Sequence, residues 1–207
     1  MNLILATQNK DKVKEFKKLI EDNNLDVNAK SLKDYNVTYD VVEDGSTLKE
    51  NAYLKAKGYK DILDSMGVKD YAILADDTGL FVDALDGEPG IYSARYSGED
   101  ATYEKNRLKL LEKLKGKTNR EAYFETIICL INGDEVHYFH GRVDGRILEH
   151  DTGELSQFGY DKIFYSYDLG KSFGEAGFIE KNKVSHRGRA FEELIKYLKT
   201  IMWGEWR

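Results

Sequence analysis

A chain with one cysteine, Cys129, closes no internal disulfide, and with no cysteine cluster it has no thiolate zinc site. A cytoplasmic location is the expectation. No apolar run approaches the roughly 18 to 20 residues that cross a bilayer. The opening MNLILATQNK also lacks a basic stretch ahead of a long apolar one, so neither a membrane partner nor a targeting segment is expected. An excess of positive charge is missing too. Counting 31 basic against 37 acidic residues gives a net charge of −6. That argues against stable nucleic-acid binding, because counterion release needs a basic face, and any anionic ligand must meet a local basic cluster. What the chain does have is core material. Its 207 residues are 41% hydrophobic, with 14 Tyr and 9 Phe, which excludes general disorder and suffices for one generous domain or two small lobes.

The apolar run Asn2 to Ala6 gives way to Thr7-Gln8-Asn9-Lys10, after which Val13, Phe16, Leu19 and Ile20 fall at helical spacing. The reading is strand, loop, helix. Thr47 and Glu50 match a capping box, in which each satisfies the other's backbone donor. Leu48, Ala52, Ala56, Tyr59, Ile62 and Leu63 then predict a helix to about Met66, with Gly67 as its stop. Tyr71 to Ala75 predicts a buried strand, interrupted by Asp76-Asp77-Thr78-Gly79 and resumed by Leu80-Phe81-Val82. Asp86 to Asp100 holds the only proline, Pro89, and reads as a loop; Leu108, Leu110, Leu111 and Leu114 mark a further helix. Arg120 to Ile131 and Glu135 to Leu148 flank Asn132-Gly133, a two-residue hairpin turn. After a glycine-rich region, Ala190, Phe191, Leu194, Ile195, Leu198, Ile201 and Met202 predict an amphipathic closing helix. No repeat, low-complexity segment or linker is visible. The pattern predicts a mixed α/β protein of two lobes with a cleft between them.

Four constellations carry chemistry. Thr7-Gln8-Asn9-Lys10-Asp11-Lys12 opens a helix, where backbone N–H groups, the dipole and ammonium groups can hold phosphate oxygens; the bland alternative is a capped helix start with solvated lysines. Asp76 and Asp77, with Glu43-Asp44 earlier in a loop, offer carboxylates for magnesium and for proton abstraction; the alternative is a plain turn at Asp77-Thr78-Gly79. Glu50 is explained by its cap and at most supports that group. Phe158-Gly159-Tyr160-Asp161 sets two aromatics around a glycine and an acid, which suits a stacked base or simply a core. Lys181, His186 and Arg187 gather cations at the start of the last helix, where the dipole disfavours them. An anionic or carbonyl-rich ligand or a solvated basic surface would explain that. His137, His140 and His150 have no metal-ligand spacing and read as surface residues.

Taken together, LATQNKDKVKEF, ADDTGLFVDALDGEPGIYSARYSGEDAT, FGYDKIFY and VSHRGRAF resemble the Ham1-type inosine triphosphate pyrophosphatases, the noncanonical purine nucleoside triphosphate pyrophosphatases, in order from about Leu3 to Leu198. The resemblance implies an α/β fold spanning residues 1 to 207 as one domain, with a central mixed sheet and two lobes around a nucleotide cleft, in a homodimer. It implies magnesium-dependent hydrolysis of ITP, dITP and XTP to the monophosphate and pyrophosphate. Carried onto this chain, Thr7 to Lys12 is similar to the family's phosphate loop, with Asn9 and Lys12 as main contacts. Asp77 resembles the catalytic base and a metal ligand, with Asp76 beside it. Glu43 resembles a second metal ligand, with Asp44 as the alternative. Phe158, Gly159, Tyr160 and Asp161 are similar to the base and ribose platform, Lys181 to a substrate ligand, and His186 with Arg187 to the readers of the base edge. Thr78 stands where the family usually has serine and keeps the hydroxyl. Lys162 replaces the proline that commonly follows Gly-Tyr-Asp, which predicts a looser loop, and residues 203 to 207 lie outside the pattern.

On that assignment Arg187, which has donors only, bonds the 6-oxo group of hypoxanthine or xanthine and finds no acceptor in adenine's 6-amino group. Two rivals remain at this stage: a nucleotide-binding sensor without turnover, and a pyrophosphatase for other modified nucleoside triphosphates.

Overall fold

The computed structural model describes residues 1–204; Glu205, Trp206 and Arg207 of the expected tail lie outside the described residues. An eight-stranded mixed sheet is ordered β2-β1-β3-β5-β6-β7-β8, with β4 pairing β3. The strands are β1 (Asn2–Leu5), β2 (Asn28–Ser31), β3 (Ala72–Val82), β4 (Pro89–Gly90), β5 (Glu121–Asn132), β6 (Glu135–Ile147), β7 (Phe164–Ser166) and β8 (Lys171–Ser172). The mixed α/β expectation holds. β1 runs parallel to both β2 and β3, whereas β4, β7 and β8 pair antiparallel.

The chain divides into two compact units. Unit 1 comprises residues 1–77 and 127–139. Its helix α1 (Lys10–Asp22) starts where Asn9 accepts from the N–H groups of Asp11 and Lys12, and it buries Phe16, Leu19 and Ile20. Helix α2 (Leu48–Ser65) buries Leu48, Ala52, Ala56, Tyr59 and Leu63. Ile4, Leu32, Ile73, Cys129 and Ile131 join the alanines, Tyr59 and Leu63 of α2 in one apolar cluster. The capping box is half formed. Thr47 Oγ1 accepts from Glu50 N–H, but the Glu50 carboxylate reaches back to Ser46, taking both its N–H and its hydroxyl at 2.7 Å.

Unit 2 comprises residues 78–126 and 140–207. It contains α3 (Tyr103–Lys113), α4 (Phe178–Asn182) and α5 (His186–Gly204). Its core gathers Leu80, Leu110, Phe124, Val143, Tyr160, Phe164 and Phe173. Packing is close where α5 begins: a Cβ built on Gly141 of β6 would stand 1.9 Å from the His186 carbonyl oxygen. Only glycine fits that approach.

Three sequence expectations need correction. The predicted break at Asp76 to Gly79 does not exist: β3 is continuous, so the acids sit in a strand rather than a turn. Charge compensation, described below, allows them to stay there. The hairpin turn lies one residue later than expected, on Gly133-Asp134, because Gly133 takes φ +59° at the first turn position while Asn132 ends β5. The proline loop also contributes β4, and the glycine-rich region contains β7, β8 and α4, elements too short for periodicity to reveal.

Candidate active site

In unit 1, α1 and β3 bring a lysine and a carboxylate together. Asp76 is 1% exposed and Asp77 9%, so both would be costly as isolated charges. Lys12 Nζ meets Asp76 Oδ2 at 2.9 Å. From α2, Lys55 Nζ meets Glu43 Oε2 at 2.9 Å and donates to the Asp76 carbonyl at 3.1 Å. Asp77 Oδ2 is buried and has no hydrogen-bond partner. Burial pushes the Asp77 carboxyl up, opposed by Lys55 and Lys12 and reinforced by Glu43 and Asp76. Burial alone would lower Lys55, yet the Glu43, Asp77 and Asp76 carboxylates overcome it and hold the ammonium above its ordinary value. The result is an interleaved cluster of acids and lysines in which Asp77 Oδ2 is buried without a hydrogen-bond partner.

The loop ahead of α1 is built by its own polar groups. Thr7 Oγ1 accepts from Asn9 N–H at 3.2 Å, and Asn9 Oδ1 accepts from the N–H groups of Asp11 and Lys12 at 2.9 and 3.2 Å. Gln8 Nε2 donates to the Val37 and Tyr39 carbonyls, tying down the chain that leads to Glu43. Lys10 and Asp11 are exposed. The helix-start reading is thus correct for Asn9 as the cap but wrong for Lys12, which faces Asp76 rather than water. Of the two acids ahead of α2, Glu43 is half-buried and paired with Lys55, whereas Asp44 is exposed.

Among the described residues no group of three or more His, Cys, Asp or Glu side chains is arranged to hold a metal alone. A cation that takes one or two carboxylates and completes its shell with waters and phosphates is a different case, and magnesium behaves so. Glu43 and Asp77, hard oxygen donors with Asp77 Oδ2 unpartnered, fit that requirement.

In unit 2, Lys181, His186 and Arg187 are 6%, 3% and 1% exposed, which overturns the solvated-surface alternative. Each is held. Lys181 pairs with buried Asp161 at 2.6 Å, and Asp161 also accepts from the Ser156 hydroxyl. His186 stacks on Phe124, centroids 4.5 Å apart and planes 14° apart. Arg187 Nη2 donates to Thr78 Oγ1 at 3.3 Å, and Thr78 shares a 2.7 Å hydrogen bond with Thr126. The expected pair of aromatic faces is corrected to one. Tyr160 is a core residue whose hydroxyl donates to the Ser93 carbonyl at 2.8 Å, whereas Phe158 is half-buried. Lys181 Nζ and Arg187 Cζ lie 5.4 and 5.3 Å from the Phe158 centroid. Nor is the loop at Lys162 untethered: its carbonyl accepts from Thr152 N–H and Oγ1, and its ammonium meets Glu154 at 3.0 Å.

Sequence reasoning missed Lys55 and Arg107. Their signal was present: Lys55 stands in the buried stripe of α2 with Leu48, Ala52, Ala56 and Tyr59, and Arg107 beside Asn106 and Leu110 in that of α3. Basic residues in apolar stripes are buried only when paired.

Comparison with known proteins gives a consistent result. The model of the Ham1 family matches residues 3–197. The dITP/XTP pyrophosphatase of Caldanaerobacter subterraneus subsp. tengcongensis is 43% identical over 200 residues, 96% of each chain. That of Bacillus subtilis is 42% identical over 199 residues, 95% of this chain and 96% of its own. Among solved structures, the Staphylococcus aureus Ham1 protein superposes with a TM-score of 0.82 at 38% identity, covering 96% of this chain and 98% of its own.

Proposed function

The chain belongs to the Ham1 family, and from that premise we propose that it hydrolyses deaminated purine nucleoside triphosphates, ITP, dITP and XTP, to the monophosphate and pyrophosphate. Such an enzyme clears these nucleotides from the precursor pool. The observation that carries the chemistry is the cluster in which Lys12 and Lys55 neutralise Asp76 and Glu43 while Asp77 keeps a buried oxygen unpartnered. The nucleotide class rests on the relatives, which bear the name dITP/XTP pyrophosphatase over nearly the whole chain length.

In this reading Thr7, Gln8, Asn9, Lys10, Asp11 and Lys12 form the phosphate loop, with the α1 N-terminus supplying donors and Lys12 charge. Asp77, raised by burial, is the general base. It takes a proton from water as that oxygen forms a bond to the α-phosphorus; the bond to the bridging oxygen breaks, and pyrophosphate leaves with the electron pair. Magnesium, held by Glu43 and Asp77 with substrate phosphates, supplies charge neutralisation when bound. Asp76 keeps Lys12 in place, and Lys55 keeps Glu43 beside Asp77. Phe158 stacks on the purine, Lys181 reaches the substrate from its pair with Asp161, and His186 with Arg187 reads the base edge. Arg187 has donors only, so it can bond a 6-oxo group but finds no acceptor in the adenine amino group, which rejects ATP by on the order of 10⁴. We place the protein in the cytoplasm, in keeping with one buried thiol and with no helix, among the described residues, long and apolar enough to cross a membrane, and take the homodimer from the resemblance to the Ham1-type pyrophosphatases alone.

The test is incubation with ITP, dITP, XTP, GTP and ATP, with and without magnesium, resolving products by chromatography. Monophosphate and pyrophosphate from the first three alone, in magnesium, is the expected result. Nucleoside diphosphate with phosphate would move the attack to the terminal phosphorus, and binding without turnover would make the chain a sensor.

A further inference from the structure

The segment that carries Phe158 has little regular structure between β6 and β7, yet a stacking ring is useful only if it is fixed. Helix α3 does the fixing. Arg107, buried on this helix, gives Nε and Nη2 to the two carboxylate oxygens of Asp151, each at 3.0 Å, and Nη1 to the Gly159 carbonyl at 3.1 Å. One turn earlier, four residues back and so on the same helix face, Tyr103 lies against Phe158 with centroids 5.3 Å apart and planes tilted by 58°. The guanidinium fork thereby ties both ends of segment 151–159 to one helix, and Tyr103 backs the ring that this segment presents. No other side chain can span these contacts, because lysine is a point donor that satisfies one partner or the other.

We propose that Arg107 is a positioning residue for purine binding: through Asp151 and the Gly159 carbonyl it holds Phe158 at the angle on which the base stacks, while itself touching neither base nor phosphate. This inference rests on the reading of Phe158 as the base platform. A tilted platform weakens base binding equally before and during the chemical step, so the loss falls on KM and not on kcat. Pyrophosphate has no base and is blind to the platform.

Arg107→Met retains the apolar stem and removes every donor. With XTP it raises KM about tenfold, the scale of one lost charged hydrogen bond, and leaves kcat within about twofold. Inhibition by pyrophosphate is unchanged. Arg107→Lys recovers part of the KM, and Tyr103→Leu moves KM in the same direction as Met. Hydrogen exchange read by mass spectrometry rises over 151–161 in Arg107→Met and stays at the wild-type level over 1–77. An unchanged KM despite faster exchange in the loop overturns the proposal, as does a fall in kcat at constant KM or a loss of pyrophosphate inhibition. Should Arg107→Met fail to fold, the Lys and Tyr103→Leu variants carry the same comparison. A wild-type chain that leaves XTP intact removes the pyrophosphatase reading itself; wild-type turnover with no KM change in the variants removes only this inference.

Discussion

At the scale of single residues, two neighbours in the acid–lysine cluster are expected to respond in opposite directions. Asp77→Asn keeps shape and removes the base, so turnover falls by at least about 10²-fold. Its stability moves the other way. The folded carboxyl binds its proton more tightly than the unfolded one, so above its raised value the ionised group opposes folding, and the amide relieves that cost. Urea unfolding at pH 8 should find the Asn variant at least as stable as wild type; a clear loss would show that Asp77 holds the fold together. Lys55→Met strands Glu43 and the buried Asp76 carbonyl, and should cost about 2 kcal/mol, less than for a fully buried pair because Glu43 is partly exposed. An unchanged urea midpoint would refute this. Cys129 gives a third contrast. Burial pushes its thiol up to about 12, so iodoacetamide at pH 8 should label it only after denaturation, as intact mass would report.

At the scale of elements, the start of α5 depends on a residue in another strand. Gly141→Ala drives a methyl group into the His186 carbonyl and the Ala190 amide, displacing the turn that carries His186 and Arg187. Overpacking of this kind costs about 1–3 kcal/mol. The expected signature is a lower melting temperature together with weaker binding of IMP, measured by calorimetry; lower stability with unaltered IMP affinity would detach this turn from the base. Nothing in the sequence singles out Gly141, since close approach between elements far apart in the chain leaves no local pattern. By contrast α1, α2, α3, α5 and the β5–β6 hairpin were legible, because caps, 3.6-residue periodicity and a turn glycine are local signals. β3 was misread for a physical reason. Two adjacent aspartates look like a break until Lys12 and Lys55, distant in sequence, are seen to neutralise the group. The same blindness hid Tyr160, whose aromatic ring suits a stacking site and a core equally until its hydroxyl is found on the Ser93 carbonyl.

At the scale of the whole molecule, charge is unevenly distributed. Unit 1 holds twelve basic and seventeen acidic residues, net −5, while unit 2 holds nineteen and twenty, net −1. The segment Thr7 to Lys12, which we propose as the phosphate loop, belongs to the more acidic unit. On the proposed reading, a nucleoside triphosphate approaching a molecule of net charge −6 meets repulsion at long range and is attracted locally by Lys12, whose partner Asp76 is buried. Salt acts on these two terms unequally. Raising ionic strength from about 0.01 to about 0.15 M shortens the screening length from about 30 to about 8 Å, which weakens the distant repulsion while sparing contacts in the buried cluster. With magnesium held constant, KM for XTP should then stay level or fall across this range. A protein that captures its anion on a broad basic face behaves oppositely, its affinity dropping steeply with salt. Steady-state kinetics at four or five salt concentrations decide the matter. A rise in KM of about tenfold would mean that a steering surface outweighs the net charge of −6, and that substrate capture does not depend on the local cluster around Lys12.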